Sequence, residues 1–175
     1  PAVRDALAGL REAVSADVLG PEVSGIELLQ GDDDTPWAVH LFMRSRRARP
    51  STLLSDALTG LSACGAAAWI GPHPVVASSP LRYALPGGLF LLAGPSTFTQ
   101  ANPAANEALV QRVCDLVGTG DTFLDLYCGA GNFTLPLLAG GAHGAGVELS
   151  RDAIDCAREA ATLQSLDPEA FEQAR

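Results

Sequence analysis

The stretch Asp121–Ser150, DTFLDLYCGAGNFTLPLLAGGAHGAGVELS, leaves the chain few folds to choose from. Thr122–Tyr127 reads as a strand buried on both faces. The turn Cys128-Gly-Ala-Gly-Asn132 follows, then a short helix around Phe133–Ala139 and a second strand, Ala145–Leu149. Strand, helix and strand in this order make a parallel pair joined by a crossover, because antiparallel neighbours need only a tight hairpin. Gly129 and Gly131 permit positive φ and let a ligand approach the backbone with no Cβ in the way. Glu148 stands 148 − 129 = 19 residues after Gly129, close to the roughly twenty expected for a carboxylate that accepts ribose hydroxyls in a nucleotide-binding βαβ unit. The plain alternative is a tight turn between core elements and a surface glutamate.

The flanks extend the pattern. Asn102 caps a helix with Pro103 in its first turn, and Leu109, Val110, Val113, Leu116 and Val117 supply its apolar face. Gly118-Thr-Gly stops it. Ser150 caps a further helix through about Leu166, with Asp152 where the helix dipole favours an anion. Residues 96–175 thus read as β-α-β-α, the first half of a doubly wound, Rossmann-like parallel sheet in an α/β fold.

Residues 1–95 read as a smaller α+β domain of antiparallel character. Val3, Leu7, Leu10, Val14 and Val18 mark an opening helix, ended by Gly20-Pro21. Gly25–Gln30 and Trp37–Arg44 form a hairpin, the second strand alternating with a period of two. Ser51 caps a helix carrying Leu54, Leu58 and Leu61, Ala66–Ile70 is a strand closed by Gly-Pro-His-Pro, and Leu81–Leu85 with Leu89–Ala93 make a second hairpin around Pro-Gly-Gly.

Composition narrows the partners. The net charge is −9 and all eleven basic residues are arginine, so long-range attraction to nucleic acid is absent and any RNA contact must be local. The one basic cluster is Arg44, Arg46, Arg47 and Arg49, read as a loop that either grips phosphates or is a solvated loop balancing an acidic surface. The apolar runs are too short to span a bilayer, no charged-then-apolar leader opens the chain, and the expected location is the cytoplasm. The first residue is proline, so the native amino terminus is expected to be missing. Cys64, Cys114, Cys128 and Cys156 lie too far apart for a metal or cluster site. The three histidines show no ligand spacing, and no metal is assigned.

The turn itself discriminates between nucleotides. A dinucleotide site wants a third glycine and an open helix N-terminus for the pyrophosphate. Here the third-glycine position is Thr134, and Asn132-Phe133 crowd the turn. Asp125, just before the turn, would repel a pyrophosphate but suits a sulfonium and an amino group, which favours S-adenosylmethionine.

Phe98-Thr-Gln-Ala-Asn102, then Asp125-Leu-Tyr-Cys-Gly-Ala-Gly-Asn-Phe-Thr-Leu-Pro136, then Gly146-Val-Glu148, in that order, resemble the RNA uracil-C5 methyltransferases, which make 5-methyluridine in tRNA and 23S rRNA. The resemblance is close over about 96–160 and architectural over 1–95. It implies that Gln100 contacts the methyl donor, that Tyr127 and Asn132 line its pocket, that Glu148 holds the ribose, and that Asp125, Gly129 and Gly131 shape the turn. Rival readings stay open: Gln100 as a capping side chain, Tyr127 as a core aromatic, Asn132 as a turn residue.

The resemblance also implies a covalent mechanism. A cysteine thiolate adds to C6 of an extruded uracil, C5 takes the methyl group, and a base removes the C5 proton. The nucleophile and base are expected beyond Arg175, so no catalytic residue is assigned within the chain and these residues alone are not expected to methylate RNA. Cys128 is rejected as nucleophile because it sits inside the donor turn. Two departures stand out: Ala160 and Gln164 occupy places where the family tends to show asparagine, and Asp167-Pro-Glu-Ala-Phe-Glu reads as a helix start where a third strand is due. No iron–sulfur cluster is expected. The competing readings are a methyltransferase for another substrate on the same donor fold, and a non-catalytic remnant that binds RNA or a protein partner.

Overall fold

The computed structural model describes residues 8, 23–31, 38–43, 67–70, 73–74, 80–94 and 97–174. The chain divides into two compact units, residues 1–81 and 82–175. Apart from Ala8, which is helical, the expected opening helix lies outside the described residues. So do the Ser51 helix, the turn between the first two strands, Cys64, and the cluster Arg44, Arg46, Arg47 and Arg49.

In the first unit β1 (Val23–Leu29) pairs antiparallel with β2 (Ala38–Met43), as the hairpin pattern predicts. The expected period of two in β2 is not what the structure shows. Ala38, Val39, His40 and Leu41 are all buried, so both faces of this strand are covered; in the plane of the sheet it lies between β1 and β3 (Ala67–Ile70). The β2–β3 pairing is parallel, a departure from the antiparallel character expected of this region. Beyond β3, the two residues of β4 (His73–Pro74) fold back antiparallel to it.

From the last residue of the first unit into the second runs the hairpin β5 (Leu81–Ala84) and β6 (Phe90–Ala93), turned by a short 3-10 segment at Pro86–Gly88. Helix α1 (Pro103–Leu116) starts as the cap predicts, the Asn102 side chain accepting from the Ala105 N–H at 3.1 Å. Its apolar face is less covered than the sequence suggests: Val110 is buried, whereas Leu109 and Leu116 are exposed.

A three-stranded parallel sheet follows, in the order β7 (Thr122–Leu126), β8 (His143–Glu148), β9 (Phe171–Gln173). Helix α2 (Thr134–Ala139) crosses from β7 to β8, and α3 (Arg151–Leu163) from β8 to β9. Ser150 caps α3 on the Ala153 N–H at 3.3 Å. This is the first half of a doubly wound, Rossmann-like sheet. Its core is formed by Leu135, Ile154, Ala157, Ala160, Ala161 and Phe171, all close to fully buried.

Two expectations need correction here. Strand β7 is not buried on both faces: Leu124 is 63% exposed and Leu126 60%. Successive side chains point to opposite faces; the side carrying Phe123 and Asp125 is half-buried, and the other is uncovered among the described residues. Residues 167–173 start a single helical turn and then form the third strand. The Asp167 side chain caps a single 3-10 turn, Pro168–Ala170, and the chain then enters β9 alongside β8. The Arg158 guanidinium fixes that entry, donating to the Phe171 carbonyl at 2.7 Å and 3.2 Å.

Gln164 closes α3 onto the hairpin. Its side-chain amide imitates a strand neighbour, accepting from the Phe90 N–H at 2.8 Å and donating to the Phe90 carbonyl at 2.8 Å. The same nitrogen reaches the Ala160 carbonyl at 2.8 Å. Gln164→Ala strands both backbone groups of Phe90 and is expected to lower unfolding free energy by about 2–3 kcal/mol, judged from the cost of orphaned polar groups. Urea denaturation measures this, and a loss below about 0.5 kcal/mol, the level of an ordinary surface change, would reject the clasp.

Candidate functional site

The site sits at the carboxyl ends of the parallel strands, where a doubly wound sheet binds its ligand. The N–H groups of Tyr127 and Cys128 both donate to the Val147 carbonyl, at 2.8 and 3.1 Å, locking the start of the turn onto the end of β8. The turn then needs three left-handed residues, Tyr127 (φ 63°), Gly129 (φ 57°) and Gly131 (φ 92°). At Gly131 a Cβ would come within 3.0 Å of both Leu135 Cγ and Phe171 Cε1, so that glycine also lets the turn settle on the core.

Glu148 ends β8 and ties three parts of the site together. One carboxylate oxygen accepts from the N–H groups of Leu149 and Ser150, at 2.8 and 2.9 Å, and the other from the Gly129 N–H at 3.1 Å. The Ser150 amide is the largest influence holding its pKa below the ordinary carboxyl value. Burial opposes that, and the Gly129 and Leu149 amides add to it. The side chain is therefore ionised at neutral pH and pre-positioned against the glycine turn.

A cavity of about 210 Å³ opens beside it, smaller than the roughly 300–1,000 Å³ usual for a small-molecule site. One wall is Phe98, Thr99 and Gln100, the segment before α1; the other is Tyr127–Ala130 with Asn132 and Phe133; Glu148 and Leu91 complete it. Of the seven residues expected to bind a cofactor, Gln100, Tyr127, Gly129, Asn132 and Glu148 line this cavity, and Asp125 and Gly131 do not.

The carboxylate of Asp125 points instead toward α2, where the fully buried Thr134 hydroxyl donates to it at 2.7 Å. Burial raises the Asp125 pKa, and the Thr134 side-chain and backbone hydrogen bonds oppose the rise. Asp125 thus braces the turn from beneath, and the ionised carboxylate facing the cavity is Glu148. The rival readings of Tyr127 and Gln100 fare poorly. Tyr127 is 87% exposed, not a core aromatic, and the Ala105 N–H that a cap must satisfy is taken by Asn102. Asn132 lines the cavity and also makes a reciprocal amide pair with Asn106.

Two residues of this constellation are not announced by the sequence: Thr134 presents itself only as the occupant of the third-glycine position, and Asn106 as one more polar residue of the helix. Its one signal was its place four residues after the capping Asn102, on the same helix face.

Tyr127 holds a backbone conformation that costs a non-glycine residue about 1–2 kcal/mol, yet it buries almost nothing. Tyr127→Gly removes that strain at the expense of greater unfolded-chain entropy, so it is expected to leave stability unchanged or raise it by up to about 1 kcal/mol. Affinity for a ligand of the cavity is expected to fall at the same time. Thermal unfolding beside ligand titration tests the pair of effects, and a clear loss of stability would show that the ring has a packing role.

Cys128 is buried, and its thiol is pushed up to about 12, first by burial and then by the charges of Asp125 and Glu148. A thiol protonated at neutral pH is a poor nucleophile. Cys156 is likewise pushed up to about 11, mainly by burial. Among the described residues no cluster of three or more His, Cys, Asp or Glu could hold a metal ion, and no helix is long and apolar enough to cross a membrane.

Fold and site together define a Rossmann-like sheet with an ionised carboxylate, Glu148, on the wall of a cavity at the carboxyl ends of its strands. The sequence model of the family described as tRNA (Uracil-5-)-methyltransferase matches residues 92–168. The chain is 34% identical over 177 residues to the 23S rRNA (uracil(1939)-C(5))-methyltransferase RlmD of Bordetella parapertussis, covering 95% of this chain and 37% of that protein. It is 43% identical over 95 residues to the RlmD of Thiobacillus denitrificans, covering 53% of this chain and 22% of that one. Among solved structures, the Pyrococcus abyssi tRNA (uracil-54, C5)-methyltransferase in complex with S-adenosyl-L-homocysteine superposes with a TM-score of 0.71 at 18% identity. That match covers 98% of this chain and 45% of that one. Residues 92–168 are thus similar to the RNA uracil-C5 methyltransferases. The chain spans little more than a third of the length of the Bordetella relative.

Proposed function

We propose that this chain carries the donor-binding part of an S-adenosylmethionine-dependent enzyme that methylates C5 of a uridine in rRNA or tRNA, acting in the cytoplasm. The observation that carries the reading is the Glu148 carboxylate, ionised, held by three backbone amides and placed on the wall of the cavity shared by Gln100, Tyr127 and Asn132. The names of the RlmD relatives and of the Pyrococcus enzyme supply the substrate class.

The donor supplies an electrophilic methyl group on a sulfonium. In this chain Glu148 accepts the ribose hydroxyls, an arrangement suited to a carboxylate that can only accept. Its charge favours the cationic donor and opposes a pyrophosphate. Gly129 keeps the backbone open to the ligand, Gln100 and Asn132 offer amide donors and acceptors, and Tyr127 presents a ring face. Asp125, through Thr134, braces the turn rather than touching the ligand. None of the described residues is proposed as the nucleophile.

Calorimetric titration of the full-length protein with S-adenosylmethionine and, separately, with NAD tests the site. Binding of the sulfonium donor alone is expected, and the reverse preference would overturn the reading. Transfer of labelled methyl from the donor to RNA, recovered as 5-methyluridine in a digest, tests the substrate. Label recovered on an exocyclic amino group instead would retain the donor and reject the uracil.

A further inference from the structure

The cavity's two walls come from distant stretches of sequence, and a pair of side chains joins them. Asn106, in the first turn of α1, donates from Nδ2 to Asn132 Oδ1 at 2.9 Å, and Asn132 Nδ2 donates back to Asn106 Oδ1 at 2.9 Å. Both side chains are half-buried. A primary amide has two N–H donors and an oxygen with two lone pairs. The ring uses one donor and one lone pair from each partner, leaving Asn132 one of each. Asn132 lines the cavity and Asn106 does not.

The ring does two things. It fixes which end of the Asn132 amide points which way, since rotating one amide alone would set oxygen against oxygen and N–H against N–H. It also ties the turn at Asn132 to the helix that starts immediately after Phe98–Asn102, the segment that supplies Gln100. The Asn106 N–H is itself bound to the Asn102 carbonyl at 3.0 Å, so the tie reaches the capping residue directly.

We propose that Asn106 is a positioning residue for the methyl-donor site: through the reciprocal amide ring it orients Asn132 and holds the Gln100 segment against the glycine turn, so that donor affinity depends on a side chain that never meets the donor. The inference rests on the donor-binding reading given above.

The test is donor affinity in the full-length protein, measured with S-adenosylmethionine by calorimetry from pH 7.5 down to about pH 4, where an ordinary aspartate takes up its proton. Asn106→Ala removes both hydrogen bonds and leaves Asn132 free to turn, and a loss of about tenfold in affinity is expected from the net worth of such bonds. Asn106→Asp is the sharper variant. Ionised, it can only accept, so one bond is lost and a carboxylate oxygen faces Asn132 Oδ1. Protonated, a carboxylic acid and an amide rebuild the two-bond ring. The deficit of Asn106→Asp relative to wild type is therefore expected to be about tenfold at pH 7.5, by the same reasoning, and to shrink toward parity as pH falls and the new carboxyl takes up a proton. Glu107 on α1, Asp125 on β7 and Glu148 on β8 are the same in both proteins, and comparison at each pH cancels their contribution.

Wild-type affinity for both Asn106→Ala and Asn106→Asp, alongside a wild type that binds the donor, would overturn the proposal and leave the donor site standing. An Asn106→Asp deficit that stays constant across the pH range would also overturn it, because a merely structural defect has no reason to follow that proton. A wild type with no affinity for S-adenosylmethionine would instead sink the donor reading, and the proposal with it. Should Asn106→Ala fail to fold, the pH course of Asn106→Asp decides alone.

Discussion

Replacing Gly146 by alanine is expected to destabilise the second unit by about 3–5 kcal/mol and to abolish measurable donor binding, the loss combining overpacking with a broken hydrogen bond to a charged group. Gly146 lies mid-strand in β8, between Asp125 of β7 and Phe171 of β9. A Cβ there would sit 2.7 Å from Thr134 Oγ1, 2.8 Å from Cys128 Sγ and 2.9 Å from Cys128 Cβ, all closer than carbon can approach. Neither neighbour can retreat to solvent, since Thr134 is fully buried and Cys128 nearly so.

The hydroxyl that must yield is the donor to Asp125. The substitution therefore pushes apart the groups that brace the turn and strands a partly desolvated carboxylate. A double-mutant cycle separates the two costs. Thr134→Ala removes the clashing oxygen and the Asp125 bond together, so Gly146→Ala should cost markedly less in that background than in wild type. Additive effects in urea denaturation would show that the crowding at Thr134 is not the cause.

The βαβ unit was legible because its punctuation is local. Gly129, Gly131, Asn102, Pro103 and Ser150 each act through their own backbone angles or within one turn of helix, and Glu148 follows from counting. Strand β9 was misread for the complementary reason. Asp167 and Pro168 do start a turn of helix, as their types dictate, but pairing with β8 then draws Phe171–Gln173 into the sheet, and no residue in 167–173 encodes a partner so distant in sequence. Leu124 and Leu126 show the same limit: apolar side chains announce that they could be covered, not that they are. Asp125 was placed correctly at the strand's end, but which face it takes depends on strand phase, and the phase sends it to Thr134. The Asn106–Asn132 ring and the Gln164 clasp on Phe90 join positions 26 and 74 residues apart, and sequence spacing is silent about both.

Glu148→Ala is expected to weaken donor binding by about 100-fold or more, the worth of two hydrogen bonds from ribose hydroxyls to a charged acceptor. The same change strips the acceptor from the N–H groups of Gly129, Leu149 and Ser150. Glu148→Gln distinguishes orientation from charge. Its oxygen can keep one set of backbone partners, but its NH2 must then face N–H donors on the other side, so it should recover little.

The pH course follows from the direction of the Glu148 shift. Its folded-state pKa lies below the ordinary 4.5, chiefly because the Ser150 amide favours the anion. A depressed folded-state value means that the stabilisation is fully present above the unfolded-state pKa and is lost as pH falls through the folded-state one. The stability advantage of wild type over Glu148→Gln should therefore be flat from neutral pH down to about 5 and shrink below 4.5, disappearing once the carboxyl is protonated in both states. Donor affinity of the wild type should hold over the same plateau. A stability difference that instead changed between pH 6 and 8 would mean that another group controls the turn, and Glu148 would lose its place at the centre of the site.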